Sequence, residues 1–202
     1  MLKRVILLLL GFVVIGSGVG MLRILDLGLD PFGVMVLGLS ELSGLAFGTI
    51  MMILQVLIFL PVVAKKRSLV GVGTIIGMFG IGYIVDFFYA ILSSLIQVEF
   101  TPVVRIIILI VTLVVVSLGV SLTIVANLGL IPYDALGLVI EATTHGKLKF
   151  NIARMGTDGL SAAIGFLLGA TLGVATLLTV FTLGPIVNFF KNTISKAVGL
   201  EI

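Results

Sequence analysis

Arg154 and Asp158 stand four residues apart in the apolar stretch Phe150 to Leu168, so on a helix they share one face and can neutralise each other. A charge surrounded by hydrocarbon costs ~2.5–3.5 kcal/mol or more, so such groups face a cavity or a partner rather than lipid. The pair could meet a polar ligand, or could be a buried ion pair that only locks helices. Asp134 lies in the first turn of another short apolar stretch, where unpaired backbone N–H groups and the helix dipole favour a carboxylate. With its neighbours Tyr133 and Asn127 it could also contact a polar substrate or take a proton. Asp30, just before Pro31, occupies an N-cap position of the same kind.

Other chemistries have little to work with. The chain has no cysteine, so disulfides, thiolate metal sites and Cys nucleophiles are excluded. The lone His145 lies in the basic stretch His145-Gly146-Lys147-Leu148-Lys149, which reads as a solvated loop rather than a metal site. Gly71-Val72-Gly73-Thr74 lacks the lysine of a P-loop. No nucleophile stands beside a base, so no enzymatic activity, cofactor or metal is expected.

The elements that must carry these residues read as membrane helices. With 60% hydrophobic and 10% charged residues, the chain is far more apolar than a soluble domain, in which roughly a quarter of residues are charged. The net charge of +3 comes from short basic clusters between apolar runs, which set orientation and do not suit a nucleic-acid partner. The expected surroundings are the lipid bilayer and a small-molecule substrate, with a homo-oligomer or a membrane partner left open. Lys3-Arg4 followed by Val5 to Val19 resembles a signal peptide, but the apolar run continues to Leu22 without a small-residue cleavage site, so it is read as a first span.

The chain also repeats itself. Asp26-Leu27-Gly28-Leu29-Asp30-Pro31-Phe32 returns as Asn127-Leu128-Gly129-Leu130-Ile131-Pro132-Tyr133, and Gly82 to Phe88 returns as Gly184 to Phe190. Residues 1–100 and 101–202 are therefore expected to be two related membrane repeats. In this alignment Gln55 is the counterpart of Asp158, and Met51 that of Arg154. Gln55 thus joins Asp134, Arg154, Asp158, Tyr133, Asn127 and Asp30 as a candidate substrate-binding residue.

A helical span needs about 20 apolar residues. Six segments qualify or nearly do: Val5 to Leu25, Phe47 to Ala64 and Leu69 to Leu95, then Val103 to Ala126, Phe150 to Leu168 and Leu172 to Phe190. Pro31 to Ser43 and Pro132 to Thr144 are shorter, each opened by a proline, and read as half-helices, re-entrant or interfacial. If these do not cross, Lys3, Arg4, Lys65, Lys66, Arg67, Lys147, Lys149, Lys191 and Lys196 share one side, the cytoplasm by the positive-inside rule. Three crossings per half then turn the second half upside down. The expected fold is an all-α membrane protein of two inverted repeats, each of three transmembrane helices plus one short half-helix. Asp86 and Asn188 read as helix-end or interfacial polar groups, Arg23 and Arg105 as side chains snorkelling outward, and Glu41 and Glu141 as loop-facing.

Across Leu27 to Val34, Gly44 to Thr49, Gly71 to Thr74, Gly82 to Asp86, Gly129 to Leu136, Arg154 and Gly173 to Asn188, nearly the whole chain resembles the YczE/YyaS/YitT family of bacterial membrane proteins. That resemblance implies a polytopic protein of the inner (plasma) membrane, with both termini cytoplasmic, whose relatives are suspected small-molecule transporters. In the first repeat the family motif's acidic position is Gly33, with an acid displaced to Asp30; the acid carried over by the motif is Asp134. The functional expectation is a transporter working by alternating access between the repeats, with Asp134, Arg154 and Asp158 lining a pocket. Helix N-termini together with Arg154 suit an anionic or zwitterionic ligand. A non-transporting binding or scaffolding subunit and a channel are the alternative readings.

Overall fold

The computed structural model describes residues 1–200, apart from the side chain of Asn151. Every regular element among them is helical: α1 (Leu2–Leu25), α2 (Pro31–Ser43), α3 (Phe47–Lys65), α4 (Val72–Leu95), α5 (Pro102–Ala126), α6 (Pro132–Thr143), α7 (Phe150–Leu167) and α8 (Val174–Val198), with a 3-10 turn at Arg67–Leu69. Five of them, α1, α3, α4, α5 and α8, are long and apolar enough to cross a membrane. The sixth expected span, α7, is the exception, because Arg154, Thr157, Asp158 and Ser161 on its 18 residues dilute its apolar character.

Local chemistry accounts for the boundaries. Both short helices start with proline at the first position, whose missing N–H has no partner to lose there. Asp30 caps α2 by accepting the Gly33 N–H at 3.2 Å. α1 and α5 stop at Asp26 and Asn127, both left-handed, and the next-but-one residues Gly28 and Gly129 take φ of 92° and 106°, which only glycine adopts without strain. α4 starts three residues later than the apolar run suggested, because Arg67–Leu69 forms its own turn. α8 runs eight residues past Phe190, since helix propagation does not stop where the chain turns polar, and ends at the left-handed Gly199.

α1 and α5 pack on each other at the centre, closely enough that a Cβ on Gly11 would lie 2.9 Å from the Gly119 carbonyl oxygen. The remaining contacts come in exchanged pairs: α1 with α4 and α5 with α8, α2 with α7 and α6 with α3. The connections obey the same exchange. The Gly73 N–H donates to Leu128 O at 2.7 Å, and the Ala175 N–H donates to Leu27 O at 2.9 Å. Each half therefore supplies the groups that the backbone break of the other half leaves without partners. One pair lacks its counterpart: α3 packs along α4, whereas α7 and α8 are scarcely in contact.

Candidate functional site

The short helices point their N-terminal turns at each other, and Phe32 stacks on Tyr133 with ring centroids 4.2 Å apart. Around this stack lies a cavity of about 160 Å³ whose wall takes residues from all eight helices or their caps, including Asp30, Gln55, Asp134, Arg154 and Thr179. All eight helices meet there.

Arg154 organises the polar side of the cavity. Its Nη1 donates to Asp134 Oδ1 at 2.9 Å and its Nε to Asp158 Oδ2 at 3.1 Å, while its guanidinium lies 4.8 Å from the Tyr133 ring centroid. The Tyr133 hydroxyl donates to Asp158 Oδ1 at 2.6 Å and lies 3.2 Å from Ser161 Oγ. The buried Gln55 reaches over from α3 and accepts the Tyr133 backbone N–H at 3.0 Å through Oε1. Tyr133, Asp134, Arg154, Asp158 and Gln55 thus form one connected network, with Asp30 on the same cavity. Asn127 is not part of it. It is exposed at the end of α5, on a separate groove with Ser68 and Gly71, because its left-handed backbone serves the turn into α6.

Sequence reasoning missed a second cluster. Arg23, expected to snorkel outward, is only 13% exposed in its side chain and bonds Asp86 Oδ1 at 2.7 Å. The guanidinium also lies 4.5 Å from the Phe47 ring and 4.0 Å from the Tyr89 ring. Asp86 accepts the Gly48 N–H at 2.7 Å through Oδ2 and so ties the start of α3 to the middle of α4. At this crossing a Cβ on Gly82 would lie 2.8 Å from Gly48 Cα, so the two backbones nearly touch. The sequence signal was a charged residue of each sign inside an apolar run, Arg23 in the first run and Asp86 in the run Leu69 to Leu95.

In the second half the counterparts of Arg23, Phe47, Gly82 and Asp86 are Ile124, Phe150, Gly184 and Asn188. All four line an open cavity of about 320 Å³. That cavity shares Thr123, Asp134, Arg154 and Leu183 with the central one, and so adjoins it. A further cleft of about 980 Å³ separates α7 from α8 and reaches Arg154 and Asp158 from the side. A Cβ on Gly184 would meet nothing within 4 Å.

The family described as "Family of unknown function (DUF6198)" matches residues 2–192, and the chain belongs to it. It is also similar to an uncharacterized protein of Haemophilus influenzae, with 24% identity over 194 residues that cover 96% of this chain and 86% of the relative. No solved structure matches the chain.

Proposed function

We propose that this protein is a small secondary transporter of the inner membrane, built from two inverted repeats that rock against each other around the central cavity. The YczE/YyaS/YitT kinship read from the sequence is part of the same proposal. The observation that carries it is the unequal closure of the two halves over one shared pocket: Arg23, Phe47, Gly82 and Asp86 close one side, while their counterparts Ile124, Phe150, Gly184 and Asn188 line an open cavity on the other. The exchanged helix contacts support a two-fold relation between the halves, because swapping each helix for its repeat counterpart maps nearly every contact onto another; the inverted sense follows from three crossings per half. With the basic loops in the cytoplasm, the entrance at Leu8, Ile124 and Phe150 faces inward and the described state is inward-open. The discontinuous helices fit this role, since backbone breaks in a bilayer persist where they line a polar cavity.

The chain contains no cysteine, so single cysteines report without a background. Thr123→Cys, on the entrance, is expected to react with a membrane-impermeant maleimide supplied from the side of the N-terminus. Leu22→Cys, its counterpart below the sealed side, is expected to stay protected from the outside until substrate is added. Labelling of Lys66→Cys and Lys191→Cys from opposite faces would overturn the topology. Reconstituted protein that moves no solute would reduce the cavity to a binding site.

A further inference from the structure

We propose that the ligand of the central cavity is a small organic cation, a primary or quaternary ammonium with a short apolar body. This rests on reading that cavity as the substrate site, and it adds the chemical class.

An anion would need donors, and several donors of this cavity are already committed. Helix N-termini attract anions because their first N–H groups lack partners. Here the first turn of α2 gives its Gly33 N–H to Asp30, and the first turn of α6 gives its Tyr133 N–H to Gln55. Arg154, the only cationic side chain on the cavity wall, already holds Asp134 and Asp158. An anionic ligand would have to displace a carboxylate from the guanidinium and then share the site with it.

The acceptors show the opposite imbalance. Asp134 and Asp158 share the one guanidinium of Arg154, and none of the ion pairs among the described residues includes a third carboxylate, Asp30. In a low-dielectric site a lone carboxylate attracts any cation that can reach it. Tyr133 is flanked by Phe32 and by the Arg154 guanidinium, but Phe32, also on the cavity wall, adds aromatic surface of the kind on which alkylammonium groups are held. The rest of the wall, including Ile15, Val19, Met51, Ile81 and Val116, is apolar and suits a short hydrocarbon body.

The test uses purified full-length protein in detergent, with butylammonium, tetraethylammonium, sodium and butyrate as probes at equal ionic strength. Butylammonium or tetraethylammonium is expected to raise the melting temperature in a saturable way, while sodium and butyrate leave it unchanged. Asp30→Asn keeps an N-cap side chain and is expected to weaken cation binding at least tenfold without unfolding the protein; Glu99→Gln, in the loop before α5, is expected to bind as the parent does. Saturable stabilisation by butyrate, saturation by sodium alone, no response to either ammonium, or an unchanged affinity in Asp30→Asn would each overturn the assignment. Counterflow of radiolabelled butylammonium in proteoliposomes separates the two levels. Binding without flux keeps the cation site and removes the transporter; flux of butyrate alone keeps the transporter and removes the cation.

Discussion

Between α3 and α4, two glycines bring the backbones together, and an arginine–aspartate pair with a capped helix start fastens the crossing. Between α7 and α8 the related sequence leaves a cleft of about 980 Å³. The two halves run through the same order of four helices, and at this crossing they differ in a few side chains. Ile124 has no charge to offer where Arg23 does, Asn188 carries none where Asp86 does, and Lys191 replaces the aromatic Tyr89. Under the transport mechanism proposed above, this unequal fastening would hold one side shut by default and let the other close only when something inside rewards it.

The comparison can be broken most directly at the fastened crossing. Arg23→Ala leaves Asp86 half-buried without its cation and is expected to cost about 2–3 kcal/mol, somewhat less than a fully buried pair would lose, read as a lowered melting temperature in detergent. If stability is unchanged, the pair fastens nothing. Gly82→Ala pushes a methyl against Gly48 and is expected to cost about 1–3 kcal/mol in the same measurement. Tyr133→Phe removes the hydroxyl shared by Asp158 and Ser161 and is expected to cost about 1 kcal/mol, with any flux reduced more than stability.

The double change Ile124→Arg with Asn188→Asp sharpens the contrast, because it places the fastening of the first half in the second. It is expected to protect Thr123→Cys from thiol reagents supplied at the entrance; undiminished labelling would mean that the open side cannot copy the closed one. Gly184→Ala should be the mildest, within about 0.5 kcal/mol of the parent, since its methyl meets empty space. A flux defect in that stable variant would show that α8 closes on α7 during turnover.

Most of the secondary structure was legible in the sequence. Proline at Pro31 and Pro132, the left-handed breaks at Asp26 and Asn127, and long apolar runs are local signals, and the helix ends fall mostly within a few residues of them. The core of the site was legible for a related reason: Asp134, Arg154 and Asp158 are charges in apolar surroundings, and those need partners wherever the chain folds. Asn127 misled because a polar residue next to a half-helix can serve the turn instead of the cavity. Arg23 and Asp86 misled because 63 residues separate them, and nothing local says that they meet.

The sequence by itself determined that this chain makes apolar helices interrupted twice at matching places, because hydropathy and backbone breaks are properties of neighbouring residues. Which carboxylates share Arg154, which helix ends already have their N–H groups filled, and which of two related crossings is shut were decided only by the tertiary structure. Those depend on distances between residues far apart in the chain, set by how closely glycine lets two backbones approach.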